Sequence, residues 1–271
     1  DEFITSKKDV VLEIVGSDGV LCEAIKDRCW VLNYEPSERA AELSTGRGVK
    51  TVCNFFNSKT ADHVLSVFGK VNLIIANNVM AHIPDMKDVF EGIKKVLKPD
   101  GVLVFEVHWV GNLLTTGGFD QIYHEHIYYH SLTALKRFVE SMGMTVFNVE
   151  MVPIHGESMR VFMSLDRVPN SSVQALLNRE EKMGLDREDT FINFSEKIER
   201  NKQILVSLCK MLRKERKSIV GYGAPAKGNT LLNHYGIKLD YIVDTTPFKH
   251  GLFTPGMHIE VSPPRRLFKE L

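Results

Sequence analysis

The feature that most constrains this chain is the regular alternation of short apolar segments with helix-forming segments in its first half. Such apolar segments, bounded by glycine, proline or polar residues, are typical of buried strands. The predicted strands are 10–15, 30–35, 51–56, 71–76 and 102–107. A helix predicted over 88–97 ends at Lys98-Pro99-Asp100-Gly101, because proline and glycine prevent its continuation. Strands separated by helices favour parallel pairing, so the pattern predicts an α/β fold with a doubly wound sheet.

The second half of the chain follows a different pattern. Its predicted segments are a loop at 113–119, a helix at 131–142, strands at 145–152 and 158–165, a long helical stretch at 171–217, a strand at 218–220, a glycine loop at 221–228, a helix from Asn229 and a strand at 239–243. The last four segments predict a second, smaller α/β unit. The chain is therefore predicted to have three parts, 1–165, a helical connector at 166–217, and 218–271.

Composition excludes several classes of protein. Lys and Arg total 34, as do Asp and Glu, so the formal net charge is zero; a binder of nucleic-acid polymers needs a basic surface. The basic cluster at 210–217 is interpreted as a solvated helix end. No apolar run approaches the ~20 residues that span a bilayer, and no signal peptide is recognisable, so we expect a cytoplasmic protein without a membrane partner. The four cysteines form no CxxC pair, so the sequence gives no support for a structural zinc site.

The first predicted strand leads into a turn that is typical of a cofactor site. Gly16 and Gly19 allow a ligand to approach the backbone, and Glu35 ends the second strand, where a carboxylate can accept both hydroxyls of a ribose. This layout suits NAD or S-adenosylmethionine. Glu13 and Asp18 make the turn acidic, which favours the cationic sulfonium over a pyrophosphate. An ordinary βα turn is the alternative interpretation.

Polar side chains also follow the fourth predicted strand. Asn77, Asn78 and His82 lie beyond its carboxyl end, where open α/β sheets place their ligands. A single histidine such as His82 is more often structural.

A compact cluster of functional groups occurs at Tyr123-His124-Glu125-His126. Metal binding is one interpretation, although a third ligand would be needed. Acid–base catalysis is another, because a neutral imidazole accepts a proton near neutral pH and a flanking carboxylate can fix its tautomer. A polar surface without function is the third interpretation.

Two further segments suggest anion binding. Arg160 offers a planar fork and Ser158 a small donor, both suited to a phosphate or a sugar hydroxyl. The loop 221–228 enters a helix with Lys227 near its start, an arrangement that presents free amides and a positive charge. A tight turn that serves only helix–strand packing is the alternative.

Taken together, these motifs resemble the S-adenosylmethionine-dependent sugar C-methyltransferases, which methylate a nucleotide-linked 4-keto-6-deoxy sugar, typically at C3. The resemblance covers about 10–264 and rests on Tyr123-His124-Glu125-His126, His155-Gly156-x-Ser158-x-Arg160, the run from Gly221 to Thr230, Asp244-x-x-Pro247-x-Lys249, and Pro255-Gly256-x-His258-Ile259. It implies a class I methyltransferase Rossmann-like domain, a helical segment and a smaller Rossmann-like domain. Glu157 stands where the family usually has glycine.

The resemblance also implies an N-terminal zinc-binding domain that this sequence lacks, together with the helices that cover the cofactor. We therefore expect a fragment, a module of a larger protein or a reduced relative, with a further domain or a partner protein over the active site.

The roles that the family implies can be placed on this sequence. His126 corresponds to the base, with Tyr123, Glu125 and His82 as orienting or proton-handling groups. The cofactor, S-adenosylmethionine (with S-adenosylhomocysteine as product), would be held by Glu13, Gly16, Asp18, Gly19, Glu35, Asn77 and Asn78, with Phe55 or Phe56 beside the adenine. The nucleotide sugar, carrying dTDP or another nucleoside diphosphate, would be held by His124, His155, Ser158, Arg160, Tyr222, Gly223, Lys227, Asn229 and Lys249.

Two other functions remain as alternatives. One is a module that binds nucleotide sugar or cofactor without turnover. The other is an NAD-dependent oxidoreductase, which the acidic first turn disfavours.

Overall fold

A computed structural model describes residues 2–154 and 156–269 of the chain. The chain divides into two compact units. Unit 1 comprises Asp1–Asn112 and Ile127–Leu185, and unit 2 comprises Leu113–His126 and Asp186–Leu271. The segment 113–126, which contains the Tyr123–His126 cluster, therefore belongs to unit 2.

Unit 1 is built on a mixed sheet that is parallel over most of its width. Its strands are β1 (Val10–Ile14), β2 (Trp30–Tyr34), β3 (Thr51–Val52), β4 (Val71–Asn77), β5 (Leu97–His108), β6 (Thr145–Val152) and β7 (Ser158–Ser164). Among the described residues their order is β3-β2-β1-β4-β5-β7-β6. The first five pair in parallel, whereas β7 runs antiparallel to β5 and β6. The predicted α/β class is confirmed.

Three of the helices of unit 1 begin at a side-chain cap. They are α1 (Val20–Ile25), α2 (Glu38–Gly46), α3 (Ala61–Phe68), α4 (Met86–Val96), α5 (Val110–Thr116, which continues into unit 2), α6 (Leu132–Ser141) and α7 (Ser171–Met183). Side chains of Asp85, Ser131 and Asn170 accept backbone N–H groups at the starts of α4, α6 and α7. All five residues of β1 are buried, because a sheet with helices on both faces needs continuous apolar strands.

Unit 2 contains the smaller sheet. Its described elements are α8 (Glu188–Lys214), β8 (Val220–Tyr222), α9 (Ala226–Tyr235), β9 (Tyr241–Val243) and β10 (Val261–Ser262). The strands pair in parallel in the order β10-β9-β8. Phe119, from the segment 113–126, stacks on Tyr235 of α9 with ring centroids 5.1 Å apart, inside the core of this unit.

Several predicted boundaries differ from the structure. The segment predicted as a loop at 113–119 is partly helical, because its leucines extend α5 until Gly117 adopts a φ of 78°. The turn predicted at 98–101 lies within β5, at an irregularity in its pairing with β4. The third strand is shorter than predicted, since only Thr51 and Val52 pair with β2.

The predicted connector 166–217 is divided between the units, with α7 in unit 1 and α8 in unit 2. In the described part of the chain, no helix is both long and apolar enough to cross a membrane.

Candidate functional site

The turn between β1 and α1 in unit 1 is shaped by side chains at the end of β2. The Gly16 N–H donates to Asn33 Oδ1 at 3.0 Å, and the Ser17 N–H donates to Glu35 Oε2 at 2.9 Å. Val15, Ser17 and Gly19 have φ values of 56°, 51° and 77°. Left-handed backbone costs free energy at residues other than glycine, so these hydrogen bonds hold the turn in a conformation that it would not adopt alone.

Glu35 is held from two directions. Its other oxygen, Oε1, accepts the Ser37 N–H at 2.8 Å, and the residue is 3% exposed. A carboxylate has about four acceptor positions, so each oxygen keeps capacity for a further donor. The role of Glu35 as acceptor of ribose hydroxyls stays a prediction.

The two other predicted carboxylates differ in their state. Glu13 is buried and accepts a hydrogen bond from Cys22 Sγ at 3.1 Å, and burial raises its pKa. Asp18 instead pairs with Arg47 at 2.9 Å, and Arg47 also contacts Glu23 at 2.8 Å. The turn is thus less negative than its sequence indicates, because one acid is paired and another resists ionisation.

Asn33 is a residue of this turn that sequence analysis did not identify. It is completely buried, and its Nδ2 donates to Ser17 O at 3.3 Å and to Ser44 Oγ at 3.1 Å. A Cβ on Gly16 would lie 2.6 Å from both Asn33 Oδ1 and the Glu13 carboxylate, so glycine is required there. A polar residue inside an otherwise apolar strand was the available signal.

The end of β4 carries an acceptor without a partner. Asn78 has a φ of 53°, and its N–H donates to Glu106 O at 2.7 Å. Its side-chain Nδ2 lies 3.4 Å from Glu106 Oε1, but its buried Oδ1 has no hydrogen-bond partner among the described residues. A buried acceptor left unpaired costs about 1–3 kcal/mol. The ammonium group of S-adenosylmethionine is a donor of the kind that this oxygen lacks, so the residues fit the cofactor.

The two predicted adenine-contacting rings separate in the structure. Phe56 is 4% exposed and packs edge-on against Tyr34, with centroids 5.5 Å apart. Phe55 is 67% exposed. Of the pair, Phe55 is the ring that a ligand can reach, because Phe56 is part of the core.

Arg160 and Ser158 are engaged within unit 1. Arg160 Nε and Nη2 lie 3.0 and 2.8 Å from Glu106 Oε2, because β7 places Arg160 opposite Glu106 of β5. Glu106 is 4% exposed, so its charge needs this partner. The Ser158 hydroxyl is buried and donates to Ile154 O at 3.1 Å. Both side chains therefore already have partners within unit 1, and their contact with a ligand stays a prediction.

The neighbouring motif residues complete this part of the prediction. His155 lies outside the described residues. Glu157, at the position where the family usually has glycine, adopts a φ of 97° and pairs with Arg179 at 3.3 Å. His82 is half-buried in a short 3₁₀ segment, Met80–His82, that follows β4.

The Tyr123–His126 cluster of unit 2 contains a defined hydrogen-bonded pair. His126 Nδ1 lies 2.9 Å from Gln121 O, and His126 Nε2 lies 3.0 Å from Tyr123 Oη. A carbonyl only accepts, so Nδ1 carries the proton and Nε2 presents its lone pair to the tyrosine hydroxyl. Burial, and secondarily Glu125, raise the pKa of Tyr123, which keeps this hydroxyl protonated. In this arrangement Nε2 is unprotonated and accepts the hydrogen bond of the Tyr123 hydroxyl.

The orienting group seen on His126 Nδ1 is therefore a backbone carbonyl, where sequence analysis named the Glu125 carboxylate. The backbone adds a further constraint, since the His126 N–H donates to Tyr123 O at 3.0 Å. Glu125 and His124 are exposed. A backbone carbonyl carries no residue-type signal, so sequence could not reveal this contact.

The glycine loop of unit 2 is organised by Asp244. Its Oδ2 accepts the Ala224 N–H at 2.7 Å and its Oδ1 accepts the Thr246 N–H at 2.8 Å. Lys249 Nζ lies 3.1 Å from both Asp244 Oδ2 and Ala224 O. These backbone contacts hold the pKa of Asp244 well below its usual range. Lys249 Nζ therefore already has two partners in unit 2, and its predicted contact with substrate stays a prediction.

A cavity of about 340 Å³ adjoins this loop and includes Gly223, Asn229 and Lys249 in its lining. Asn229 Oδ1 accepts a hydrogen bond from Asn233 at 3.1 Å. Tyr222 is 72% exposed, and Lys227 is half-buried in the first turn of α9. Among the described residues, no group of three or more His, Cys, Asp or Glu side chains could hold a metal ion.

Comparison with known proteins identifies the family. The model of the methyltransferase domain matches residues 2–149, more than half of the chain. The chain belongs to the methyltransferase-domain family. A second model, the C-methyltransferase C-terminal domain, matches residues 153–270 of this chain. The predicted class I fold, the resemblance to C-methyltransferases and the cofactor class, S-adenosylmethionine, are confirmed at the level of the family.

Among curated relatives, the chain is similar to the C-methyltransferase NovU of Streptomyces niveus, with 31% identity over 95% of this chain. The chain spans 63% of the length of that relative. Among solved structures, an S-adenosylmethionine-dependent methyltransferase from Clostridium acetobutylicum shares 13% identity, with a TM-score of 0.47 over 59% of this chain and 85% of that one. Another, from Anabaena variabilis, shares 12% identity, with a TM-score of 0.45 over 60% and 79%.

Proposed function

We propose that this chain is an S-adenosylmethionine-dependent C-methyltransferase that deprotonates the carbon next to a ketone and methylates it. The proposed substrate is a nucleotide-linked 4-keto-6-deoxy sugar, methylated at C3. The observation that carries the proposal is the state of His126, whose proton is held on Nδ1 by the Gln121 carbonyl while Nε2 faces the Tyr123 hydroxyl. A ketone acidifies the adjacent C–H, so a neutral imidazole is a suitable base.

Unit 1 is proposed to hold the cofactor. Glu35 accepts hydrogen bonds from the ribose hydroxyls, and Asn78 Oδ1 accepts one from the ammonium group. Phe55 lies against the adenine. Gly16 and Gly19 keep the turn free of side chains, while Glu13 and Asp18 leave it without an excess of positive charge. When bound, S-adenosylmethionine would supply an electrophilic methyl group, and the electron pair of its methyl–sulfur bond would stay on sulfur in S-adenosylhomocysteine.

The proton steps are assigned to unit 2. His126 Nε2 takes the C3 proton, and the electron pair of that C–H bond becomes the enolate and then the new C–C bond. The imidazolium that results is stabilised through Nδ1–H by the Gln121 carbonyl. Tyr123, which keeps its proton, turns its hydroxyl from Nε2 to the developing enolate oxygen. Glu125 and His82 remain candidates for proton handling.

The nucleotide diphosphate is proposed to bind at the glycine loop of unit 2. The first amides of α9, which has ten residues, have no helical partners and suit an anion. Lys227 adds a positive charge beside them, and Gly223 and Tyr222 flank the same loop. Arg160, Ser158 and Lys249 contribute less than sequence indicated, since all three already have partners.

The replacement His126→Ala tests the base. We expect single-turnover methylation of dTDP-4-keto-6-deoxyglucose, followed by mass spectrometry, to fall about a thousandfold, because general bases contribute 10²–10⁴. Binding of S-adenosylhomocysteine by calorimetry should change less than twofold. His63→Ala, an exposed histidine of α3 with no role in the proposed reaction, is the matched control and should retain most activity. Near wild-type turnover by His126→Ala would remove this residue from the base role.

A binding module without turnover remains the second candidate. Binding of S-adenosylhomocysteine and nucleotide sugar without methylation of any keto sugar would favour it. NAD(H) binding in place of S-adenosylhomocysteine would favour an oxidoreductase. The cytoplasmic location and a covering domain or partner stay predictions.

A further inference from the structure

Unit 1 contains a second cavity, which the proposed reaction does not use. Its volume is about 350 Å³, at the small end of the range for small-molecule sites. Three segments of the unit line it: the start of α4, the segment before α6, and α6 itself. The lining residues are Pro84, Asp85, Met86, Lys87, Tyr128, Tyr129, His130, Ala134, Leu135 and Phe138.

Hydrogen bonds hold the walls of this cavity together. The Tyr128 hydroxyl donates to Pro84 O at 2.8 Å, which ties the segment before α6 to the start of α4. The Ile127 N–H donates to Ala81 O at 2.8 Å, which anchors the same segment one residue earlier. Phe138 is fixed from behind by an edge-on contact with Phe90, with centroids 5.0 Å apart. The cavity is therefore built from restrained side chains.

His130 is the unusual residue in the lining. It is 7% exposed, and its buried Nε2 has no hydrogen-bond partner among the described residues. The imidazole packs edge-on against Phe105 and tilted against Tyr128, so neither ring neighbour satisfies the nitrogen. Burial lowers the pKa of His130 to about 4, so the ring is neutral at neutral pH. An unpaired buried polar atom costs about 1–3 kcal/mol, and a ligand that pairs with it regains that free energy.

The lining defines the chemistry of such a ligand. Tyr128, Tyr129 and Phe138 offer aromatic surface, and Met86 and Leu135 add apolar surface. One carboxylate and one ammonium group, Asp85 and Lys87, leave no excess charge, and Asp85 already caps α4. A planar, uncharged ring with one polar group on its edge matches both the surface and the single orphan nitrogen.

We propose that this cavity is a binding site for a small planar aromatic compound whose hydroxyl or amino group hydrogen-bonds to Nε2 of His130. The site is independent of methyl transfer, since its lining residues have no role in the proposed reaction.

The test compares two ring compounds of the same shape. p-Cresol carries a hydroxyl that can donate or accept, whereas p-xylene carries a methyl group in its place. We expect p-cresol to bind at least tenfold more tightly in NMR titrations of the whole chain. The side-chain nitrogen resonance of His130 should shift with p-cresol, and NOEs should link the ring to Tyr129 and Phe138. Equal affinities, no binding of p-cresol at millimolar concentration, or NOEs to other residues would overturn the proposal.

Variants sharpen the result. His130→Leu should lower the affinity for p-cresol about tenfold and change that for p-xylene less than threefold. His63→Gln, a histidine of α3 outside the cavity lining, is the matched control and should leave both affinities unchanged. An unchanged p-cresol affinity in a folded His130→Leu protein would contradict the proposal. If that variant does not fold, the wild-type comparison still decides. S-adenosylhomocysteine binding, measured on the same samples, tests the proposed function separately.

Discussion

The turns after β1 in unit 1 and after β8 in unit 2 use the same hydrogen-bond pattern with different charges. In each, an acid directly after the neighbouring strand accepts one N–H from the glycine turn and another from the residue two positions beyond itself. Glu35 does this for Ser17 and Ser37, and Asp244 does it for Ala224 and Thr246.

The difference between the turns is a cation. Lys249 pairs with Asp244 at 3.1 Å, whereas no cationic side chain pairs with Glu35 among the described residues. Glu35 therefore keeps its charge available to a ligand, and Asp244 does not. The shared pattern stabilises the turn, and the neighbouring charges determine which ligand the turn can accept.

The largest expected effect separates the two acids by ligand binding. Glu35→Ala should weaken S-adenosylhomocysteine binding about a hundredfold, because hydrogen bonds to a charged group contribute about 1.5–3 kcal/mol each. Asp244→Ala also removes the acceptor of two backbone N–H groups, in unit 2, and should change the affinity for S-adenosylhomocysteine less than threefold. Calorimetry on both variants checks the pair. Equal losses would mean that Glu35 acts only as a structural acid.

The next effect concerns the glycines of the two turns. Gly19→Ala should lower the free energy of unfolding by about 2 kcal/mol, because φ is 77° and a Cβ would collide with Ser44 Oγ. Gly223→Ala, with a φ of 87° and its nearest contact at 3.7 Å, should cost only the backbone term of about 1 kcal/mol. Urea denaturation followed by circular dichroism measures both. A larger loss at Gly223 would reverse the comparison.

Acidic pH should reduce the stability that Asp244 gives to the turn of unit 2. Because the pKa of Asp244 is lowered on folding, its contribution to stability is complete above the unfolded pKa of about 3.9 and is lost as pH falls below it. Asp244→Asn should therefore cost about 1.5 kcal/mol at pH 7 and progressively less on acidification. Unfolding free energies between pH 2.5 and 7 check this. A difference from wild type that stays constant with pH would contradict it.

In the turn of unit 1, stability should depend on pH in the opposite direction, and this effect should be the smallest. Burial raises the pKa of Glu13, so the folded state holds its proton more tightly, and stability falls as pH rises from the unfolded pKa of about 4.3 through the folded pKa. Glu13→Gln should remove this loss and stabilise the protein by about 1 kcal/mol at pH 7, with no gain below pH 4. Denaturation curves of wild type and variant at pH 4 and 7 test this prediction. If Glu13→Gln were less stable than wild type at pH 7, the charged carboxylate would be required.

The fold was predictable where local pattern and burial agree. The strands 10–15, 30–35 and 71–76 are apolar runs that must be covered on both faces, and they appear as β1, β2 and β4. The conformation of the segment 113–119 was not predictable, since its glycines and threonines favour a loop while its leucines favour a helix. The division of 166–217 between two units also depends on which core each helix packs against.

The candidate site shows the same limit. Glu35 and the Tyr123–His126 cluster could be predicted as site residues from their side-chain types, because carboxylates and imidazoles are uncommon in such positions. Whether a predicted site residue can contact a ligand depends on its neighbours in the structure. Arg160 lies opposite Glu106 only because β5 and β7 pair in that register. Phe56 and Phe55 are adjacent in sequence, yet one is in the core and the other is exposed.

From its residues alone, the chain specifies an α/β fold, two glycine turns and a set of groups able to bind a cofactor and move a proton. These follow from hydrophobic periodicity and from the chemistry of individual side chains. Tertiary structure alone determines which of those groups are paired. Lys249 and Arg160 are neutralised by Asp244 and Glu106, and a backbone carbonyl sets the proton of His126. Charge pairing and tautomer depend on distances of a few ångströms, either between side chains that the fold or a turn brings together or to backbone groups that every residue has.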